Sequence, residues 1–136
     1  MSKNYVENMA TSMTKSSEKI PTLEDKYPNW YNIFNQEYLG VMRVPTGAII
    51  GTSNLKDKFF DDRWVPTRKG IDGRFLRVLA GAYDRGKMFS VKNSPIELIQ
   101  IGEEYYVSED GNRRVCVARL LGIDYVEAEI MRLKRN

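Results

Sequence analysis

The stretch from Glu103 to Ile130 constrains the fold of this chain more than any other segment. Its residue pattern predicts four consecutive elements: a β-prone run at 105–107, a turn at Asp110 and Gly111, a helix from Arg113 to Leu121 that Gly122 ends, and a strand from Tyr125 to Met131. Together they form a βαβ-like unit. The turn into such a helix leaves backbone N–H groups free at the helix N-terminus, where an anion is stabilised. A phosphate group is therefore the first ligand to consider.

Two arginines, Arg113 and Arg114, occupy the first turn of this predicted helix. On a helical wheel they fall on the same arc as Val117 and Leu121, so their side chains are expected to point past the helix end. Two cations there oppose the helix macrodipole, at a cost of roughly 0.3–1 kcal/mol each unless a negative group lies between them. That group is either a bound phosphate or a nearby carboxylate. The candidate carboxylates are Asp110, Glu109, Glu103, Glu104 and Glu127.

These residues resemble the signature of the ParB/sulfiredoxin superfamily. Its members carry an Asp-Gly-(Asn/Gln/His)-His-Arg or Gly-Glu-Arg-Arg sequence between a β-hairpin and a helix, followed by an alanine, a glycine and a final strand. The matching residues here are Asp110, Gly111, Asn112, Arg113 and Arg114, then Ala118 and Gly122. The resemblance covers residues 41–131. It implies an α+β domain with a small mixed sheet, packed helices and a phosphate-binding βαβ-like unit.

The resemblance also implies roles for individual residues, because the loop and helix N-terminus of this superfamily bind nucleotide phosphates. Gly111 and Asn112 would form a backbone cradle, Arg114 would be the principal phosphate ligand, and Arg113 would be the second cation. Sulfiredoxins carry their reactive cysteine where this chain has Asn112. Sulfinic-acid reduction is therefore not expected here.

Further ligands are implied on either side of the signature. Asp110 or Glu109 would orient the arginines or hold Mg²⁺, which makes Mg²⁺ with ATP or CTP the candidate cofactor. A weaker match to the superfamily, Val-Pro followed by Ile and Gly, precedes Thr52 and Ser53. These two residues are expected to line the ligand pocket, although an ordinary polar loop also explains them.

Three classes of function follow from this interpretation. The first is an enzyme that hydrolyses a nucleoside triphosphate or transfers a phosphoryl group. The second is a DNA-binding module, with or without nuclease activity, and the third is a non-catalytic interaction domain with a vestigial site. A DNA partner would also use the exposed basic face predicted for a helix from Ile71 to Arg85, which carries Arg74 and Arg77. Charged residues opposite an apolar stripe are equally typical of an ordinary surface helix.

Composition excludes several kinds of chemistry. The chain has no histidine, so a Ser–His or Cys–His mechanism cannot be built from its own residues. Its single cysteine, Cys116, excludes an intramolecular disulfide and a cysteine-cluster zinc site, and its place in an apolar helix predicts a buried thiol. No apolar run is long enough for a membrane span, and a cytoplasmic location is expected.

The N-terminal part of the chain is predicted to contain a leader and one helix. Residues 1–21 have no sustained apolar period, so a disordered leader is expected. Residues 22–40 carry aromatic side chains at spacings of three and four, which predicts an amphipathic helix that Pro28 starts or kinks and Gly40 ends. Its aromatic stripe favours core packing or a homodimer surface over the stacking of bases.

The remaining segments add a strand, a hairpin and one alternative metal site. A strand is predicted at 41–45, and a strict alternation predicts another from Ile96 to Ile101, which turns back into residues 105–107. The adjacent acids Asp61 and Asp62 permit Mg²⁺ binding, but a solvated turn is the simpler interpretation. Residues 132–136 are expected to form a mobile basic tail.

Overall fold

The computed structural model describes residues 19–53, 59–85, 95–109 and 111–135. In these ranges the chain forms four α-helices and five β-strands. In chain order they are α1 (Leu23–Lys26), α2 (Trp30–Ile33), β1 (Phe34–Pro45), β2 (Ile49–Thr52), α3 (Gly73–Arg85), β3 (Ile96–Ile101), β4 (Glu104–Val107), α4 (Asn112–Leu120) and β5 (Tyr125–Arg135). A 3-10 turn, Thr46–Ala48, joins β1 to β2. Residues 1–18 of the expected leader, Gly86 and Asp110 lie outside the described residues.

The five strands form one mixed sheet in the order β1-β5-β3-β4-β2. β1 pairs with β5 and β3 pairs with β4 in antiparallel fashion, whereas β3 with β5 and β2 with β4 are parallel pairs. A mixed sheet with packed helices confirms the α+β class. The expected βαβ-like unit is wrong in one respect: β3 lies between β4 and β5 and hydrogen-bonds to both, so the strands that flank α4 run in opposite directions.

Both faces of the sheet are covered by other elements. Strand side chains alternate between the faces, because successive residues of a strand point to opposite sides. One face packs against α3, α4 and the loop that contains Phe60 and Trp64, and its buried strand residues are Val44, Ile49, Ile96, Leu98, Val107, Val126, Ala128 and Ile130. The other face packs against α1 and α2, and its buried residues are Leu23, Phe34, Ile99, Tyr106 and Leu133. None of the described helices is long and apolar enough to cross a membrane.

The prediction of a single helix over residues 22–40 is wrong. That helix is replaced by two helices of one turn each, and β1 then begins at Phe34. Pro28 and Asn29 interrupt the helical pattern, with Asn29 in the left-handed region at φ 60°. From Phe34 onward the chain pairs with β5, and Gly40 lies inside that strand beside a β-bulge instead of ending a helix. Aromatic residues of the predicted stripe contribute to the second face of the core, as Tyr27 packs edge-on against Phe34.

The expectation of a mobile basic tail is also wrong, because β5 continues to Arg135. Arg132 and Lys134 both form ion pairs with Glu37 of the antiparallel neighbour β1. By contrast, the predicted helix at 71–85, the strands at 41–45 and 96–101, and the hairpin between β3 and β4 are confirmed.

Candidate functional site

The N-terminus of α4 is built around Gly111. This residue has φ +120°, a conformation that L side chains rarely adopt, and it is buried against β3. A Cβ atom at this position would lie 2.8 Å from Cγ2 of Ile96. The glycine therefore lets the loop pass close to the sheet before α4 begins at Asn112.

Hydrogen bonds from the two neighbouring strands hold the loop that leads to Gly111. The Ser108 N–H donates to the carbonyl of Glu97 at 2.8 Å, and the Ser53 hydroxyl donates to the carbonyl of Ser108 at 2.8 Å. Thr52 is fully buried, and its hydroxyl lies 3.4 Å from the carbonyl oxygen of Val107. Thr52 and Ser53 therefore hold the loop in place through hydrogen bonds to backbone carbonyl groups.

Asn112, the first residue of α4, has a buried acceptor without a donor. Its side chain is 5% exposed, and its Oδ1 atom has no hydrogen-bond partner among the described residues. Gly111, at the N-cap position, offers no side chain to cap the helix, and the first turn of α4 contains no acidic residue. Since buried polar atoms are nearly always paired in folded proteins, this unpaired oxygen needs an explanation.

Arg113 makes a bidentate ion pair with Asp72, the residue that precedes α3. Its Nη2 and Nε atoms lie 2.8 and 3.3 Å from the two carboxylate oxygens. Asp72 also accepts a hydrogen bond from the Phe75 N–H at 2.8 Å, as an N-cap residue does. The hydrogen bond from Arg113 lowers the pKa of Asp72 to about 2, and the bond from Phe75 contributes in the same direction.

The partner of Arg113 is not one of the five carboxylates that the sequence suggested. Glu104 accepts hydrogen bonds from Lys26 and Tyr106 instead, and Asp110 lies outside the described residues. Sequence reasoning missed Asp72 because it is 41 residues away from Arg113. Its one local signal was an aspartate three residues before Phe75 at the start of a predicted helix.

Arg114 is half-buried and follows Arg113 in the first turn of α4. It has an interaction of its own and is not a free cation. The structure therefore places Gly111, Asn112, Arg113 and Arg114 at one helix end, as the signature predicted.

The metal ligands suggested by sequence do not form a cluster in the described part of the chain. Glu109 is exposed, and no group of three or more acidic or cysteine side chains there is arranged to hold a metal ion. Asp61 is buried, and its Oδ1 accepts N–H bonds from Arg63 and Val65 at 2.9 Å each. This pattern is that of a turn-stabilising aspartate.

Cys116 lies one turn into α4 and is fully buried, which confirms the prediction of a buried thiol. Burial raises the pKa of this thiol well above its usual value, and the nearby Asp61 carboxylate raises it further, against a smaller lowering by Arg119. A nucleophilic thiolate is therefore disfavoured at this position.

No protein-family model matches this chain, and no curated protein is significantly similar to it. The likeness to the ParB/sulfiredoxin superfamily rests on the signature residues and on their order along the chain.

Proposed function

We propose that this chain binds the phosphate groups of a nucleotide at the N-terminus of α4, as a domain of the ParB/sulfiredoxin type. The observation that carries the proposal is the uncapped start of α4, where Gly111 offers no side chain, the first turn has no acidic residue, and Arg113 and Arg114 lie side by side. Such a helix end attracts anions through its free N–H groups and its dipole.

The cations at this helix end complete an anion site. Arg113 uses two donor atoms on Asp72, and a guanidinium carries five N–H donors, so donors remain for a phosphate. Arg114 lies next to it and is the residue that the superfamily signature assigns to phosphate. Because Asp72 is the negative group nearest to Arg113 in the free protein, a phosphate would share or replace that contact.

The Asn112 side chain is compatible with a nucleotide ligand. Its buried Oδ1 can only accept a hydrogen bond, so a matching ligand must present a donor as well as an anion. A nucleotide has both, since its ribose hydroxyls and base amino groups donate. The chemistry that this arrangement supports is positioning and charge neutralisation during phosphoryl transfer or hydrolysis. This chain has no reactive thiol for sulfinic-acid reduction. Asparagine occupies the position of the reactive cysteine, and Cys116 is buried.

The test is a thermal-unfolding screen of ATP, ADP, CTP and GTP, each with and without Mg²⁺. A nucleotide at about 100 times its Kd should stabilise the folded protein by roughly 2.7 kcal/mol. Arg114→Ala should remove most of this effect, whereas Glu103→Gln, an exposed change in the β3–β4 turn, should keep it. Unchanged melting temperatures with every nucleotide at millimolar concentration would contradict the proposal.

DNA backbone phosphate is the second candidate ligand. Arg74 and Arg77 are exposed on α3, which packs against α4, so basic side chains extend beyond the helix end. Binding to duplex DNA through several phosphates would weaken steeply with salt, while a single nucleotide would show a shallow dependence. Affinity measured over a salt series distinguishes the two.

A further inference from the structure

A separate cavity lies at the other end of α4, roughly 13 Å along the helix from the candidate nucleotide site. Its volume is about 340 Å³. The residues that define its chemistry are Thr46, Arg63, Trp64, Arg119, Leu120 and Ile123. They come from the β1–β2 connection, the loop after β2 and the end of α4.

The guanidinium groups of Arg63 and Arg119 are poorly satisfied by the described residues. Arg119 reaches the carbonyl of Thr46 at 3.4 Å, a long hydrogen bond. Arg63 forms a long ion pair with Asp61, with Nη2 3.6 Å from Oδ2, and more than half of its side chain is exposed. Most donors of both groups are thus available to a ligand in the cavity.

Thr46 supplies an independent sign of a ligand. The residue is 3% exposed, and its Oγ1 has no hydrogen-bond partner in the described part of the chain. Its N–H is used, since it donates to the carbonyl of Asp124 at 2.8 Å. An unpaired buried hydroxyl destabilises the folded state. A ligand oxygen in the cavity would remove that destabilisation.

Trp64 and its neighbours form an apolar part of the cavity wall. Trp64 is buried at φ 62°, and its indole N–H donates to the carbonyl of Ile49 at 2.8 Å, which holds the ring in place. Leu120, Ile123 and Val65 complete this side of the wall. An inorganic anion would leave most of the volume empty, so the cavity suits a larger molecule that has one charged end.

Two carboxylates need to be weighed against the cations: Asp124 lines the cavity, and Asp61 lies beside Arg63. Asp61 is buried; its Oδ1 accepts two backbone N–H bonds, whereas its Oδ2 has no hydrogen bond among the described residues and lies 3.6 Å from Nη2 of Arg63. Asp124 is exposed and therefore well solvated. Neither carboxylate makes a hydrogen bond to Arg119 in the described structure, so this guanidinium is free to bind an added anion.

We infer that this cavity binds a small organic oxyanion, a carboxylate or a phosphate monoester, with its charged end between Arg63, Arg119 and Thr46 and its apolar body against Trp64. This site is independent of the proposed nucleotide site at Gly111.

The experiment is an NMR titration of the ¹⁵N-labelled chain with phenyl phosphate, phenylacetate and the neutral benzyl alcohol. At least one of the two anions should shift the amide signals of Gly47, Val65 and Gly122 and the Trp64 indole signal at about 10 mM, the affinity range expected for so few atoms. The stronger of the two anions identifies the head group. Benzyl alcohol should shift these signals at least about tenfold less at equal concentration, since it lacks the charge that binds the arginines.

Variants test whether the bound anion is recognised by the arginine and the threonine of the cavity. Arg119→Gln should raise the Kd about tenfold and Thr46→Val about threefold, whereas Arg68→Gln, an exposed arginine in the same loop, should leave it unchanged. If Arg119→Gln does not fold, Arg119→Lys replaces it in the titration. The lysine keeps the positive charge, so Arg119→Lys should weaken binding less than Arg119→Gln.

Signal shifts confined to residues 111–114 would assign the anions to the other site and overturn the inference. Equal shifts with benzyl alcohol, or no shifts with either anion, would overturn it as well. The outcome does not depend on nucleotide binding, because the two groups of reporting amides lie at opposite ends of α4.

Discussion

Arg113 in the first turn of α4 donates to both carboxylate oxygens of Asp72, the residue that caps α3. One ion pair therefore joins the N-termini of two helices. The carboxylate offsets the positive ends of both helix dipoles and the charge of Arg113. A nucleotide phosphate at α4 would act on the same guanidinium, so the stability of the free protein and its affinity for the ligand are expected to depend on this pair.

The ion pair should contribute modestly to stability. Asp72→Asn keeps an oxygen that can cap α3 but removes the charge, and it should lower the free energy of unfolding by about 1 kcal/mol, since the pair is partly exposed to solvent. Arg113→Ala should cost a similar amount, and the double variant should cost less than the two changes added together. Chemical denaturation measures all three. Strict additivity would show that the two side chains do not interact in solution.

The same pair predicts an acid-sensitive contribution to folding. The pKa of Asp72 falls from 3.8 to about 2 on folding, so its carboxylate stabilises the folded state above about pH 4 and loses that effect as the pH falls towards 2. With 37% of the Asp72 side chain exposed, solvent screening limits the effect to about 1 kcal/mol. Unfolding measured from pH 5 to pH 2 should show a shallower decline for Asp72→Asn than for the native chain. Parallel pH curves would refute the assignment.

Asn112→Leu should separate stability from binding. It replaces an unpaired buried amide with an apolar side chain of similar shape, so the free energy of unfolding should stay the same or rise by about 1 kcal/mol. Nucleotide affinity should fall about tenfold, because the acceptor for the ligand is lost. Asn32→Leu, at an exposed position of α2, is the matched control and should change neither. A destabilised Asn112→Leu protein with normal affinity would make this residue structural.

Gly111→Ala should damage the site and the fold together. An alanine at φ +120° is strained, and its Cβ would meet Ile96 at 2.8 Å, so a loss of about 2 kcal/mol in unfolding free energy is expected along with weaker nucleotide binding. Gly73→Ala, at the start of α3 where nothing lies within 4 Å of the added atom, should be neutral. Equal effects of the two substitutions would argue against a special role for the Gly111 backbone.

Local signals in the sequence located most of the elements around the site. Gly111 and Gly122 mark the two ends of α4, and the strict alternation over residues 96–101 marks β3. Each of these signals acts over a few residues, within one turn of helix or one pleat of a strand. For that reason they could be read without knowledge of what lies opposite in space.

Tertiary structure decided the conformation of segments whose local signals were misleading. Phe34 to Leu39 have a helical spacing, but they form a strand because β5 supplies a long antiparallel partner for them. The same pairing orders Arg132 and Lys134, which a reading of local composition assigns to a tail.

Some residues of the candidate site are evident from local sequence, and others are brought to it only by the tertiary structure. The sequence by itself determined the glycine turn, the asparagine and the two arginines at the start of α4, because neighbouring residues define a helix N-terminus. Only the tertiary structure brought Asp72 to Arg113 and Thr46 to Arg119, pairs separated by 41 and 73 residues. Such contacts depend on how whole elements pack, and no local pattern of residues encodes that arrangement.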